Sequence, residues 1–166
     1  MLRSAGLLLF RTKGRATEVF LVHPGGPFWT TKDNGVWSIP KGLHEPDEDA
    51  LAAARREFTE ETGFTAAGPF IALGSFKVSR DKIVTAFAAE GDCAPARLVS
   101  NTFALEWPPK SGRFQDCPEV DRGAWFGREQ ALNKITAGQR AVIEAFYEST
   151  PKRKSATAAA PSPQAR

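Results

Sequence analysis

Residues 42–64 read GLHEPDEDALAAARREFTEETGF and carry the strongest structural signal in the chain. They predict a helix from Asp47 to Thr62, with Pro46 near its first turn and Gly63 as its C-terminal stop. The apolar residues that recur at helical spacing and would form its buried stripe are Leu51, Ala54 and Phe58. Much of the remaining helix surface is acidic.

Three carboxylates are expected side by side on this helix, because Glu57, Glu60 and Glu61 are spaced i, i+3 and i+4. Charges about 6 Å apart repel by roughly 0.7 kcal/mol in water and by roughly 3 kcal/mol at an effective dielectric constant of 20. These acids also occupy the last turns, where the helix dipole disfavours them. A hard divalent cation with oxygen ligands, such as Mg²⁺, is the natural compensation. The alternative is a solvated acidic face with Arg55 and Arg56 as counter-charges.

Strand-like segments precede and follow the acidic helix. The predicted strands are Ser4–Arg11, Glu18–His23, Val36–Ile39, Phe70–Val78, Ile83–Ala89 and Val120–Phe126. A C-terminal helix is predicted from Ala137 to Tyr147, and no internal repeat is visible. Strands on both sides of one central helix indicate a mixed α/β or α+β domain.

A single domain is expected, because 166 residues suffice for one hydrophobic core. Residues 151–166 are rich in Ala, Pro, Ser and basic residues and predict a disordered tail after a domain of residues 1–150. The tail holds four basic side chains and no acid, so the formal net charge of +3 falls to −1 without it. The pI of 9.0 therefore indicates a basic tail rather than a nucleic-acid-binding face.

The composition excludes several classes of protein. With 42% hydrophobic and 25% charged residues, the chain is not disordered throughout. Its longest apolar run, Ala5–Phe10, is far shorter than the ~20 residues of a membrane span, and no signal-peptide cleavage pattern follows it. Cys93 and Cys117 are too few and too far apart for a disulfide framework, so we expect reduced thiols in a cytoplasmic protein. His23 and His44 lack metal-ligand spacing and are expected to be structural or exposed.

The residues around the acidic helix follow a fixed spacing. Gly42 is followed by five residues and Glu48, and seven more residues lead to Arg56-Glu57-Phe58-x-Glu60-Glu61-x-Gly63-Phe64. This pattern resembles the Nudix box at every fixed position, and the resemblance extends over nearly all of residues 3–149. It implies the Nudix fold, a mixed β-sheet sandwiched between helices. It also implies hydrolysis of a nucleoside diphosphate linked to a further group, with bound Mg²⁺ or Mn²⁺.

The resemblance implies a role for each polar residue of the box. Glu60 and Glu61 would be metal ligands, and the carbonyl of Gly42 would complete the metal shell. Glu57 would be either a ligand or the general base that takes a proton from the attacking water. Arg56 would orient Glu57 by a charge-assisted hydrogen bond.

The family often needs one more acid after the box. The candidates here are Glu90, Asp92, Glu106 and Glu119. Glu119 is favoured because residues 119–125, EVDRGAW, resemble the segment before the last helix of diadenosine polyphosphate hydrolases. The alternative is a solvent-facing acid at a strand end. Glu48 is expected to support the site rather than to bind metal, since the start of a helix already favours an acid.

The substrate is indicated less directly. The opening SAGLLLFR and the lead-in WSIPKG look most like the diadenosine tetraphosphate hydrolase branch. Lys32 and Lys41 are candidate phosphate contacts, with solvated lysines as the alternative. Aromatic residues in Gly/Pro-rich loops could stack on a base or anchor their loops, and these are Phe28, Trp29, Trp107 and Phe114.

The chain also departs from that branch. Dinucleoside polyphosphate hydrolases commonly carry a tyrosine after the box and ADP-ribose pyrophosphatases a proline, whereas residues 78–82 are VSRDK and the only tyrosine is Tyr147. The excursion from Asn101 to Pro118 is longer than a plain connection. Hydrolysis of nucleoside triphosphates, ADP-ribose or RNA 5′ ends, and a non-catalytic binding module, therefore stay open as alternatives. We expect a monomer or homodimer that binds a small nucleotide, with neither membrane nor nucleic acid as partner.

Overall fold

A computed structural model describes residues 1–159, with the side chains of residues 1–149. The strands are β1 (Leu2–Lys13), β2 (Ala16–Pro24), β3 (Lys41–Leu43), β4 (Phe70–Ser79), β5 (Lys82–Glu90), β6 (Thr102–Glu106), β7 (Phe114–Pro118) and β8 (Val120–Phe126). The helices are α1 (Ala50–Thr62), α2 (Arg128–Lys134) and α3 (Arg140–Ala159). Six strands form one mixed sheet in the order β4-β5-β1-β2-β8, with β3 paired to β1. In this sheet β1 and β5 are parallel, and the other pairs are antiparallel.

The centre of the sheet is buried on both faces. Leu7 and Leu9 of β1 belong to a cluster with Phe58 of α1. On the other face, Leu8 belongs to a cluster with Ile143 of α3. A strand covered on both faces needs no polar alternation, which explains the unbroken apolar run at the start of the chain. The predicted fold class, a mixed sheet between helices, is confirmed.

The acidic helix is shorter at its start than the sequence indicated. α1 begins at Ala50, because the side chain of Asp49 caps it by accepting a hydrogen bond from the N–H of Ala52 at 2.9 Å. At its other end, Gly63 adopts a φ of 78°, which glycine tolerates at no steric cost. The Gly63 stop is therefore present as predicted.

One predicted strand, Val36–Ile39, is wrong. The N–H of Trp37 donates to the carbonyl of Lys134 at 2.9 Å, whereas the N–H of Ser38 donates to Val22 at 3.0 Å. Successive residues thus bond to different partners, so only isolated bridges form instead of a ladder. The strand in this part of the chain is the short β3, which follows Pro40.

The long excursion before the last strand contains regular structure that the sequence did not indicate. β6 and β7 form a separate two-stranded sheet. The base of this hairpin is attached to the end of α1, where the N–H of Asn101 donates to the carbonyl of Glu60 at 2.8 Å. The N–H of Val99 likewise donates to Thr62 at 2.9 Å. These bonds satisfy carbonyls that a helix terminus leaves without intrahelical partners.

The C-terminal helix is longer than predicted, because α3 runs from Arg140 to Ala159. Its extension past Tyr147 contains Lys, Arg and Ala, which are strong helix formers. The segment for which we predict disorder therefore begins within a helix, and residues 160–166 lie outside the described residues. Among the described residues, no helix is both long and apolar enough to cross a bilayer. Cys93 and Cys117 are both free thiols.

Candidate active site

A cleft of about 330 Å³ opens beside the acidic helix, and we call it the acidic cleft. Its acidic lining consists of Glu57, Glu60, Glu61 and Glu119. The rest of its lining consists of Ser4, Lys41, Gly42, Leu43 and Lys82. The fold thus brings together the three helix acids, the favoured later acid, the glycine of the box and one of the two candidate phosphate-binding lysines.

The helix acids do not form a solvated face. Glu57 and Glu61 are only 9% and 8% exposed. Burial raises the pKa of the Glu57 carboxyl and raises that of Glu61 to about 8, because a carboxylate is poorly stabilised away from water. Arg55 lies over the ring of Phe70, 4.8 Å from its centroid, rather than against the acids. The alternative of a solvated acidic face is therefore wrong for the two buried acids, although Arg56 does act as a counter-charge to Glu57.

Arg56 holds several carboxylates at once. Its Nη1 donates to Oε2 of Glu57 at 2.7 Å and lies 3.3 Å from Oε2 of Glu60. Its Nη2 donates to Oε2 of Glu48 at 3.2 Å. Glu48 therefore fixes the guanidinium from the far side, and the guanidinium in turn fixes Glu57.

Gly42 lies directly against the carboxylate of Glu57. A Cβ atom at position 42 would come within 2.0 Å of both Cδ and Oε1 of Glu57. Only a glycine leaves room for the carboxylate at this point of β3. The box therefore needs glycine for close approach rather than for an unusual backbone conformation.

The donor set of the acidic cleft fits a hard divalent cation, because it consists of carboxylate and backbone oxygens. The hydroxyl of Ser4 is also buried in this lining and has no hydrogen-bond partner among the described residues. The described side chains contain no preformed group of three metal ligands. Instead, Arg56 binds the carboxylates of Glu57 and Glu60, and the N–H of Lys41 donates to Oε1 of Glu61 at 3.2 Å. The carboxylates would have to turn to share one cation.

Lysines line the same cleft. Burial lowers the pKa of Lys41, while the nearby carboxylate of Glu61 opposes that shift. Lys82, the first residue of β5, was not singled out from the sequence, and neither was Ser4. Parallel pairing places Lys82 opposite Leu2 and places Ser4 opposite Val84. No local pattern in the sequence reveals such a pairing between distant strands.

Of the four later acids, Glu119 lies in the acidic cleft. Asp92 instead accepts a hydrogen bond from Arg11 at 2.9 Å. Glu106 accepts one from the N–H of Gly112 at 2.9 Å. Glu90 is the exposed last residue of β5. Geometry therefore favours Glu119 as the additional acid.

Glu119→Gln is expected to lower the kcat of the predicted hydrolysis about tenfold, because the cleft would lose one of the four carboxylates that could hold or orient a divalent cation. The measurement is steady-state hydrolysis at saturating substrate. Asp116→Asn is the matched control, since Asp116 is exposed on the neighbouring strand β7. Unchanged kcat in Glu119→Gln would reject Glu119 as the additional acid and leave Glu90 and Glu106 as the candidates.

The other predicted substrate contacts lie outside the acidic cleft. Phe28 is 52% exposed, and the ammonium of Lys32 lies 3.9 Å from its ring centroid. Trp107 is in the β6–β7 hairpin, where its backbone N–H donates to the carbonyl of Arg113 at 2.9 Å. A substrate role for these three residues stays a prediction.

The two histidines have structural environments. His23 is fully buried, with Nδ1 2.8 Å from Asp121 and Nε2 2.6 Å from the carbonyl of Lys32. Nδ1 of His44 lies 2.8 Å from the carbonyl oxygen of Glu45. Neither is in the lining of the acidic cleft.

Comparison with known families gives a clear assignment, because the NUDIX domain model matches residues 1–146. The chain belongs to the Nudix hydrolase family. The Nudix box is therefore the segment from Gly42 to Phe64, and α1 is its helix. Family membership supports the prediction of a pyrophosphohydrolase.

Curated relatives of this Nudix chain match over part of its length. An uncharacterized 17.7 kDa protein of Enterobacteria phage T4 is 48% identical over 87 residues, which are 51% of this chain and 56% of the phage protein. An RNA pyrophosphohydrolase of Bradyrhizobium diazoefficiens is 40% identical over 57 residues, which are 34% of this chain and 32% of that enzyme. The chain thus spans about half or less of the length of these relatives.

Solved Nudix structures share the fold. A C. elegans Ap4A hydrolase binary complex aligns with a TM-score of 0.61 at 21% identity, covering 92% of this chain and 99% of that one. The Nudix domain of Shewanella oneidensis NrtR, solved with ADP ribose, aligns with a TM-score of 0.60 at 19% identity. It covers 90% of this chain and 88% of that chain. At such identities the likeness establishes the fold.

Proposed function

We propose that this Nudix protein is a metal-dependent pyrophosphohydrolase that cleaves a diphosphate linkage in a nucleoside diphosphate derivative. The observation that carries this proposal is the composition of the acidic cleft, where clustered carboxylates and two lysines line one cavity. The carboxylates suit divalent cations, and the lysines suit the phosphate oxygens that such cations bridge. The proposed setting is the cytoplasm, with the protein as a monomer or homodimer.

Glu60, Glu61 and the Gly42 carbonyl are the groups that would hold Mg²⁺ or Mn²⁺, with Glu57 beside them. The bound cation would neutralise charge on the phosphate oxygens and leaving group. Water attacks one phosphorus, the bond from that phosphorus to the bridging oxygen breaks, and two phosphate products leave. Oε2 of Glu57 is bonded to Arg56, so Oε1 is the oxygen that can accept the proton of the water.

The phosphate chain is expected to lie along the side of the cleft that Lys41 and Lys82 line. Both ammonium groups offer several donors to non-bridging oxygens. The hydroxyl of Ser4, which has no partner among the described residues, can donate to the same chain. Glu119 faces the chain with the helix acids and is the additional acid of the proposed mechanism.

The favoured substrate is a dinucleoside polyphosphate such as diadenosine tetraphosphate. Support comes from the resemblance of SAGLLLFR and WSIPKG to that branch and from the Ap4A hydrolase among the structural neighbours. A second candidate is the 5′ end of RNA, because the Bradyrhizobium diazoefficiens relative carries that activity in its name. The formal net charge of −1 for residues 1–150 favours the soluble nucleotide, since RNA binding gains most from a basic surface.

A phosphate-release screen with Mg²⁺ and Mn²⁺, coupled to a phosphatase, tests the proposal. Its substrates are diadenosine polyphosphates, nucleoside triphosphates, ADP-ribose, other nucleotide sugars, diphosphoinositol phosphates and RNA with a 5′-triphosphate. Preference for diadenosine tetraphosphate supports the full proposal. Preference for another nucleotide keeps the mechanism and rejects the branch. If the folded protein were inactive on every substrate, the non-catalytic binding module would be the remaining alternative.

Removal of divalent metal is expected to abolish turnover of whichever substrate is preferred. EDTA in excess should reduce hydrolysis to background, and added Mg²⁺ in excess of EDTA should restore it, because the carboxylates alone repel a polyphosphate. Circular dichroism in EDTA should show the same helix and strand content as before. Full hydrolysis in excess EDTA would contradict the proposed metal dependence.

A further inference from the structure

The chain changes its strand partner immediately before β3, over residues 38–40, which we call the crossing segment. The N–H of Ser38 donates to the carbonyl of Val22 in β2 at 3.0 Å, and the N–H of Val22 donates back at 2.9 Å. Two residues later, the carbonyl of Pro40 accepts from the N–H of Leu7 in β1 at 3.0 Å. Ile39 lies between the two partners and is fully buried, so its backbone N–H needs a partner from elsewhere.

The side chain of Gln139 supplies that partner. Its Oε1 accepts from the N–H of Ile39 at 3.0 Å, and its Nε2 donates to Oγ of Ser38 at 3.0 Å. The Ser38 hydroxyl in turn donates to the carbonyl of Ile39 at 2.6 Å. Gln139 is only 4% exposed, and hydrogen bonds shielded from water in this way are strengthened. One buried amide group thus clamps two successive residues of the crossing segment.

Gln139 is itself held by the turn that carries it. This turn, Ala137–Gln139, is a short 3₁₀ helix immediately before α3. Its glycine leaves no room for a Cβ atom, which would lie 2.0 Å from the carbonyl oxygen of Val78 in β4. Just before the turn, the N–H of Thr136 donates to the carbonyl of Trp37 at 2.9 Å. The amide of Gln139 is therefore presented from a turn that packs against the sheet.

The crossing segment leads directly into the two residues of β3 that contact the helix acids. The N–H of Lys41 donates to Oε1 of Glu61 at 3.2 Å. Gly42 lies so close to the carboxylate of Glu57 that a Cβ atom would overlap with it. Pro40, with its restricted φ, is the only residue between the clamp and these two contacts. A shift of the crossing segment would therefore displace both contacts.

We propose that Gln139 is a positioning residue of the active site, because its amide holds Lys41 and Gly42 in place against the carboxylates of Glu61 and Glu57. Gln139 is not in the lining of the acidic cleft, so it acts through the backbone of the crossing segment. Its effect on turnover rests on the proposed function, whereas its effect on cation binding requires only the oxygen donors of the cleft. Partners that orient metal ligands from outside the coordination shell typically contribute ten- to a hundredfold to metal affinity or activity.

The test is the affinity of the full chain for Mn²⁺, measured by electron paramagnetic resonance of the free ion, in Gln139→Met. Methionine fills a similar volume without an amide group, so the variant keeps the packing and loses both hydrogen bonds. We expect the Kd for Mn²⁺ to rise about tenfold and kcat at saturating Mg²⁺ to fall about tenfold. Ser38→Ala loses the contact to Nε2 and keeps the bond from Ile39 to Gln139, so its Kd should rise about threefold.

Tyr147→Phe is the matched control, because the Tyr147 hydroxyl also ties the C-terminal region to the sheet. It donates to the carbonyl of Thr17 in β2 at 2.6 Å, and neither residue lines the acidic cleft. This variant should lower Tm while Mn²⁺ affinity and kcat stay within about twofold of wild type. A thermal melt of each variant sets a temperature at which all of them are folded.

Wild-type Mn²⁺ affinity in folded Gln139→Met would overturn the inference, and Ser38→Ala decides in the same way if Gln139→Met fails to fold. A wild type that binds no Mn²⁺ would also overturn it, since there would be no set of ligands to hold. Weaker Mn²⁺ binding in the variants, with no turnover of any substrate by wild type, would reject the proposed hydrolase and keep the positioning role. Turnover by wild type with unchanged Mn²⁺ affinity in the variants would do the reverse.

Discussion

Glu60→Gln is expected to lower kcat at least about a hundredfold while the protein stays folded. The substitution keeps the shape of the side chain and removes the charge that would bind the cation. Folding should be preserved because the Glu60 side chain is 40% exposed. Loss of its negative charge also relieves repulsion from the carboxylate of Glu57. Arg56 keeps its bonds to Glu48 and Glu57 in this variant.

The measurement combines steady-state kinetics with a thermal melt. Glu144→Gln is the control, since Glu144 is exposed on α3, on the opposite side of the sheet from α1. We expect kcat to fall in Glu60→Gln alone and Tm to change little in both variants. Near-normal turnover in Glu60→Gln would reject the assignment of the metal site.

Gly42→Ala is expected to lower kcat by about a hundredfold with only a modest loss of stability. The new Cβ atom would lie 2.0 Å from Oε1 of Glu57, so the carboxylate must move away. That movement breaks the 2.7 Å hydrogen bond from Arg56 and would displace the acid from the water whose proton it is proposed to accept. Stability should fall little, because the atoms that must move are the end of one flexible side chain.

Gly127→Ala provides the matched control for Gly42→Ala. A Cβ atom at position 127 meets nothing within 4 Å, and its backbone has a φ of −71°. We expect this variant to keep its kcat and to lose only a little in Tm, because Gly127 is the N-cap of α2, where alanine is less favourable than glycine. If Gly42→Ala has wild-type kcat, Glu57 is not required in its observed position and its proposed part in proton transfer is wrong.

The sequence predicted the acidic helix well, because the relevant signals are local. The spacing of the three helix acids, the Gly63 stop and the buried Phe58 all depend on residues within a few turns of one another. The helix start was misplaced by a few residues, since Asp47 and Asp49 are both plausible caps. The structure shows that Asp49 makes the capping bond.

Residues brought in by distant pairing could not be predicted. Lys82 and Ser4 reach the acidic cleft through the parallel register of β1 with β5, which no local pattern encodes. Phe103 belongs to a hairpin inside an excursion that has no clear alternation of polar and apolar residues. Phe28 and Trp29 are neighbours in one loop, and only the three-dimensional structure shows which of them lines a cavity.

The attachment of the hairpin to α1 has a consequence for how a substrate would be cut. The N–H of Asn101 donates to the carbonyl of Glu60, so the hairpin and the helix that carries the clustered carboxylates are tied together at this point. If one end of a substrate were held against the hairpin, the acidic cleft would lie at a set distance from that end. Phosphate chains of different length would then be cut at the same position from the held end.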